Sequence, residues 1–154
     1  MSLADDRGVV VHLLHRYAHA VDDADAAGVA GCFTRDGRFG TRDGTVAVQG
    51  RDGLLAFFGE VFAGPMAPPE VVTTHLMGNA VVTFAVGGAE ATTLLDAVVH
   101  RWSASSETVM VRGLRYRDRV VRSDAEGWLL AAREHDLRWQ GEMPATAPEF
   151  AIQD

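Results

Sequence analysis

The chain has 154 residues, which predicts a single domain, and 47% of them are hydrophobic, which is enough for a folded core. Its net charge of −7 disfavours nucleic acids and anionic membranes as partners, since both require a cationic surface. All 14 basic residues are arginine, so a lysine Schiff base, a lysine-anchored pyridoxal phosphate and a Walker-type phosphate loop are excluded.

The sequence contains no segment that predicts secretion or membrane insertion. No run approaches the roughly 18 apolar residues of a membrane span, and the N-terminus lacks the basic and apolar regions of a signal peptide. We therefore expect a cytoplasmic protein. Cys32 is the only cysteine, which excludes an internal disulfide and a thiolate metal cluster.

The first predicted element is a helix from Ala4 to about Val21. One helical stripe is apolar and consists of Val10, Leu13, Leu14, Tyr17, Ala18 and Val21. The opposite face carries His12, His15 and His19. His15 and His19 have the i, i+4 spacing of some metal sites, but a face turned away from the apolar stripe favours solvated side chains. We expect no metal.

Shorter elements follow. Asp25 is a good N-cap for a second helix, and a buried third helix is predicted after a short hairpin. The predicted ranges are Ala26–Phe33 for the second helix, Thr34–Gly37 for a turn, Arg38–Thr41 and Thr45–Gln49 for the hairpin, and Gly50–Ala63 for the third helix.

The second half of the chain has the composition of long β-strands. Its runs are Val71–Val86, Ala89–Ala104, Glu107–Ser123 and Trp128–Gln140. Helices followed by an antiparallel meander indicate an α+β fold. We expect a curved, mixed or antiparallel sheet that forms a cone with the three helices against its concave face, a proline-rich lip at Gly64–Glu70, a single domain over residues 1–140 and a tail over 141–154.

Five segments resemble one known family. They are RYAHAVDDADAAGVAGCFTRDGRF (Arg16–Phe39), GRDGLLAFF (Gly50–Phe58), THLMGNAVV (Thr74–Val82), GLRYRDRVVRSDAEGWLLAAR (Gly113–Arg133) and DLRW (Asp136–Trp139). In this order and spacing they resemble the SnoaL-like branch of the nuclear-transport-factor-2-like (NTF2-like) superfamily, which includes scytalone dehydratase, bile-acid dehydratase and polyketide cyclases. The resemblance implies an NTF2-like α+β barrel.

The resemblance also implies a set of site residues. Dehydratases of this group use a Tyr and an Asp near the end of the first helix and a His on the first long strand, which here correspond to Tyr17, Asp22 and His75. The apolar stripe independently turns Tyr17 inward. Asp23 is the alternative to Asp22, because Asp22 can share a cavity with Tyr17 only if the helix ends near Val21.

Three further residues are candidate substrate contacts. Asn79 shares the strand face of His75 and could hydrogen-bond a substrate oxygen. His100 is a possible second cavity histidine, with the alternative that the strand register turns it away. Arg133 lies among apolar neighbours, either as a buried ion-pair partner or as an anchor for an anionic substrate.

Together with these residues, the resemblance implies a cofactor-free lyase or isomerase, dehydratase-like, that acts on a small apolar cyclic, polyketide- or steroid-like compound. The alternative is a non-catalytic protein of the same fold, either a ligand-binding module or an oligomeric accessory subunit. A homodimer or homotrimer is expected, because a curved sheet of this size leaves its convex face exposed.

Overall fold

A computed structural model describes residues 3–64 and 66–145. The helices are α1 (Leu3–Asp22), α2 (Ala26–Gly31) and α3 (Arg51–Ala63). The strands are β1 (Phe33–Thr41), β2 (Ala47–Gln49), β3 (Val71–Phe84), β4 (Glu90–Ser103), β5 (Thr108–Ser123) and β6 (Gly127–Pro144). None of these helices has the length and apolarity needed to cross a membrane.

Helix α1 packs against β3 and β6 through the apolar stripe that the sequence predicts. Val10 and Leu14 are fully buried, and Tyr17 is 3% exposed. The first turn is held by buried Asp6, which accepts a hydrogen bond from Trp128 Nε1 at 2.9 Å. These contacts fix α1 along the sheet, so that its last turn reaches β3.

One prediction for the region between α2 and β2 is wrong. Asp25 is the N-cap of α2 and accepts a hydrogen bond from the Gly28 amide at 2.8 Å, as predicted. However, α2 ends at Gly31, and residues 34–37 form part of β1 instead of a turn. Phe33 is fully buried and pairs with Leu130 of β6, so tertiary pairing overrides the local turn preference of the Asp-Gly pair.

The six strands form one mixed sheet in the order β2-β1-β6-β5-β4-β3, in which β1 and β6 are parallel and all other neighbours are antiparallel. The α+β class predicted from the sequence is confirmed. Strand β6 is longer than predicted, because Pro144 still pairs with Thr108. The predicted tail therefore begins as strand, and its residues 146–154 lie outside the described part of the chain.

Strand β3 contains an irregularity that decides which side chains face the helices. Met77 pairs with Ala97 and Ala80 pairs with Leu95, so Gly78 and Asn79 together oppose a single residue of β4. Such a bulge reverses the alternation of faces. His75 and Met77 face inward before it, and buried Val82 faces inward after it.

Candidate active site

A cavity of about 130 Å³ lies between the helices and the inner face of the sheet. Its apolar lining consists of Val21, Phe39, Phe58, Met66, Val99, Met110 and Leu114. Its polar lining consists of Tyr17, Thr73, His75, Arg101, Arg112, Tyr116 and His135. Apolar walls with a few converging polar groups are typical of a small-molecule site.

His75, which lines this cavity, forms a hydrogen-bonded pair with Asp22. The distance from His75 Nδ1 to Asp22 Oδ1 is 2.6 Å, and the other carboxylate oxygen, Oδ2, accepts the backbone N–H of His75 at 2.9 Å. The His75 side chain is 5% exposed and that of Asp22 is 16% exposed. The carboxylate thus holds both the ring and the backbone of His75, which leaves Nε2 as the ring nitrogen free to act on a ligand.

The position of Asp22 follows from the end of α1. Asp22 is the last residue of the helix, and its side chain contacts His75, whereas Asp23 is exposed. Asp22 lies in a surface groove together with His75 and is not itself part of the cavity lining. It reaches the cavity only through the histidine ring.

Tyr17 and Tyr116 form an aromatic wall. Their ring centroids are 6.3 Å apart in an edge-to-face arrangement, and Phe58 packs edge-on against Tyr17 at 6.5 Å. Burial raises the pKa of the Tyr17 hydroxyl far above its ordinary value, and neighbouring Tyr116 raises it further. Burial also raises the pKa of Tyr116, to about 12. Both phenols are therefore protonated at neutral pH and available as hydrogen-bond donors.

A buried ion pair supports this wall. Arg133 donates from Nε and Nη2 to the two oxygens of Asp118, both at 2.8 Å, and Thr93 donates to Asp118 at 2.7 Å. The Arg133 guanidinium carbon lies 4.1 Å from the ring centroid of Tyr17 and 4.4 Å from that of Tyr116. The Arg133 guanidinium therefore contacts the faces of both phenol rings and stabilises their positions.

The structure does not bring the three expected substrate contacts into the cavity. Asn79 is exposed, because the bulge in β3 turns the strand before this residue. His100 lies on the outer face of β4, since the buried alternate residues of that strand, from Ala91 to Val99, form the inner face. Arg133 is the buried ion-pair partner of Asp118 and does not line the cavity.

Four polar residues of the cavity were missed by the sequence analysis. They are Arg101, Arg112, Tyr116 and His135. The period-2 pattern of β4 contained a signal for Arg101, because it continues the buried series Leu95, Ala97 and Val99.

His135 is held between aromatic rings. Its ring stacks on Tyr116 at 5.5 Å and on Phe39 at 6.4 Å. Burial lowers the pKa of His135 to about 4, and the positive charges of Arg112 and Arg133 contribute to this shift. His135 is therefore neutral at physiological pH and can exchange a hydrogen bond with a ligand without carrying charge.

The histidines of α1 include a pair, His15 and His19, with the spacing of some metal ligands. His12, His15 and His19 are exposed, as expected for a solvated face. Across residues 3–64 and 66–145, no group of three His, Cys, Asp or Glu side chains has the arrangement of a metal site.

A comparison with protein-family models gives a match to the SnoaL-like domain over residues 2–134. The chain belongs to the SnoaL-like family. The resemblance noted in the sequence is thereby confirmed, and the match includes all the helices and strands β1 to β5. No curated protein matches the chain.

Several solved structures resemble this protein over most of its length. An NTF2-like protein with a cystatin-like fold from Novosphingobium aromaticivorans is 28% identical, with a TM-score of 0.74 and coverage of 88% of this chain and 84% of that one. A type 2 hexachlorocyclohexane dehydrochlorinase (LinA) is 17% identical, with a TM-score of 0.80 and coverage of 95% of both chains. A candidate scytalone dehydratase from N. aromaticivorans is 17% identical, with a TM-score of 0.75 and coverage of 98% and 99%. At such identities the last two establish the fold alone.

Proposed function

We propose that this protein is a cofactor-free lyase or isomerase that acts on a small, largely apolar cyclic compound. The observation that carries the proposal is the hydrogen bond between Asp22, outside the cavity, and His75, which lines it. A histidine held by a carboxylate through Nδ1 presents Nε2 as an acceptor, which is the arrangement of a general base.

The proposed reaction begins with proton abstraction. His75 Nε2 removes a proton from the carbon next to a carbonyl, the electron pair of that C–H bond forms a carbon–carbon double bond, and the π pair of the carbonyl moves to its oxygen. The resulting enolate oxygen accepts a hydrogen bond from the Tyr17 hydroxyl, which is protonated because burial raises its pKa. The positive charge formed on His75 is stabilised by Asp22 at 2.6 Å.

Two outcomes follow from the same enolate. In a lyase, the enolate expels a hydroxyl group from the β-carbon, and the proton on His75 passes to that group, so that water and an alkene are formed. In an isomerase, His75 returns the proton to a different carbon. The names of two structural neighbours, a dehydrochlorinase and a candidate scytalone dehydratase, denote eliminations and support the first outcome.

The cavity volume limits the size of the substrate. About 130 Å³ is close to the roughly 150 Å³ apolar cavity that accepts a benzene molecule. One ring therefore enters the cavity, and a polyketide- or steroid-like substrate would leave its remaining rings outside. We favour a single-ring or two-ring substrate.

The proposal is tested by exchange of α-protons for deuterium. The wild type is incubated with single-ring ketones and β-hydroxyketones in D₂O, and exchange is followed by ¹H NMR beside His75→Gln, Asp22→Asn and His100→Gln. With His75→Gln, we expect the substrate to exchange its α-protons at the uncatalysed rate. With Asp22→Asn, the exchange rate should fall about 10²-fold or more, in the range of general-base contributions. His100→Gln is the matched control, since it removes a histidine from the outer face of the sheet, and it should behave like the wild type.

The alternative function makes the opposite prediction. A non-catalytic binding module of the same fold needs no base in its cavity. Unchanged exchange in His75→Gln would contradict the proposed mechanism, and binding of ring compounds without exchange in the wild type would favour the binding module.

A further inference from the structure

Two arginines of the cavity are neighbours on the inner face of the sheet. Arg112 of β5 pairs with Val99 of β4, and Arg101 is the next inward residue of β4, so the two guanidinium groups lie on adjacent strands in a diagonal arrangement. Arg101 is also opposite Thr73, near the start of β3, where the loop after α3 contributes Met66 to the lining. We call this end of the cavity the mouth.

Neither arginine has an acidic partner within the described residues. The ion pairs among residues 3–64 and 66–145 that include an arginine involve other arginines. The hydrogen bond described for Arg101 is a 3.8 Å contact from Nη2 to the sulfur of Met110. The Nε atom of Arg112 is buried and has no hydrogen-bond partner in the part of the chain that the structure describes. Burial lowers the pKa of Arg112, and the charge of Arg101 lowers it further.

This arrangement differs from that of the other buried arginine. Arg133 has a carboxylate partner, because its Nε and Nη2 donate to the two oxygens of Asp118, although its Nη1 atom is also buried without a hydrogen-bond partner among the described residues. The chain has 21 acidic residues against 14 arginines, so carboxylates are abundant, yet none contacts Arg101 or Arg112 in the described structure. Two adjacent like charges without a counter-ion cost free energy, which an anionic ligand would recover.

We propose that the substrate is a ring compound with a carboxylate group, and that Arg101 and Arg112 bind this carboxylate at the mouth of the cavity. A guanidinium group presents paired N–H donors whose spacing matches the two oxygens of a carboxylate. The ring enters toward Tyr17 and Tyr116. For the chemistry that follows binding, this inference rests on the proposed function.

The strand register explains how the carboxylate would orient the substrate. His75, Val99 and Arg112 lie on one cross-strand row, so Arg112 is separated from His75 by the width of a single strand. Along β5, the inward side chains Arg112, Leu114 and Tyr116 follow one another from the mouth to the aromatic wall. A ligand anchored at Arg112 therefore lies along the apolar wall with its ring beside His75.

The test compares a carboxylate with a neutral ligand of the same shape. Binding of benzoate and of benzamide to the wild type is measured by isothermal titration calorimetry, with saturation-transfer NMR for weak binding. We expect benzoate to bind about tenfold more tightly or better, as is typical for a charge-assisted hydrogen bond against a neutral one. The net charge of −7 disfavours anions in general, so such a preference requires a local cationic site.

Four variants locate the binding site. Arg112→Gln and Arg101→Gln should each reduce the affinity for benzoate toward that for benzamide, and Arg112→Lys should retain part of the preference because it keeps the charge. Arg35→Gln is the matched control, since Arg35 is exposed and outside the cavity, and it should bind like the wild type. Thermal melts establish that each variant is folded.

The outcomes separate this inference from the proposed function. Equal affinity for benzoate and benzamide, no binding of benzoate, or unchanged binding by both glutamine variants would overturn the carboxylate site whatever the exchange results are. Conversely, His75→Gln should still bind benzoate. Retained preference for benzoate, together with no exchange in the wild type, would support the binding site and contradict the catalytic mechanism.

Discussion

At the residue scale, Tyr17 and His75 line one cavity, whereas Asp22 contacts His75 from outside it, and the roles of all three in catalysis stay a prediction. The apolar stripe of α1 placed Tyr17 inward, and this is a local property that periodicity captures. The contact between Asp22 and His75 joins residues far apart in the sequence, and only the resemblance to a family suggested it. The alternation of β4 contained a signal for Arg101, whereas the inward direction of Arg112 depends on which face of the sheet is covered.

His135 leads to a prediction about stability and pH. Its pKa falls from the ordinary value of 6.5 to about 4 in the folded protein, so between these values the unfolded chain binds more protons than the folded one. The free energy of unfolding should therefore decrease as the pH falls through this window, by at most about 3 kcal/mol from this group.

The measurement is urea denaturation at several pH values, with His135→Phe as the comparison. Phenylalanine retains a ring to stack on Tyr116 and Phe39 and removes the titrating group. The variant should lose less stability than the wild type between pH 6.5 and pH 4. Equal losses in the two proteins would contradict the assigned shift.

At the element scale, the helices and the long strands were predicted nearly to their ends, whereas the bulge in β3 was not. Unbroken strand alternation predicted that Asn79 shares the face of His75. The bulge changes this alternation and places Asn79 outside the cavity. A two-residue bulge has no reliable signature in a single sequence, although Gly78 marks a close approach of two backbones. The prediction of a turn at residues 34–37 is wrong for a related reason, because pairing with β6 holds these residues in a strand.

The bulge predicts a specific sensitivity at Gly78. A Cβ atom at this position would lie 2.7 Å from the backbone oxygen of Asp96, which is too close for any side chain. Gly78→Ala should therefore destabilise the protein by about 1–3 kcal/mol, measured as the free energy of unfolding in urea.

Gly59→Ala in α3 is the matched control for that substitution. Its Cβ would have no neighbour within 4 Å, and alanine is the better helix former. This variant should be as stable as the wild type or slightly more stable. A Gly78→Ala protein of undiminished stability would show that the backbones at the bulge are less closely packed than described.

At the scale of the whole molecule, the order of helices and strands was sufficient to predict the α+β class, and the family match confirms it. The outer face of the sheet exposes large apolar side chains, among them Leu76 at 58% and Trp139 at 53%. The homodimer or homotrimer expected from the sequence stays a prediction, which the molar mass in solution will test.

The central claim is that Asp22 fixes the His75 ring so that Nε2 faces the ligand as a base. The most direct measurement needs no substrate: ¹⁵N NMR of the His75 ring at a pH where the ring is neutral, in the wild type and in Asp22→Asn. We predict that the wild type carries its proton on Nδ1 and a lone pair on Nε2, and that Asp22→Asn loses this preference. A wild-type ring protonated on Nε2 would contradict the account, because that nitrogen could not accept a proton from a substrate.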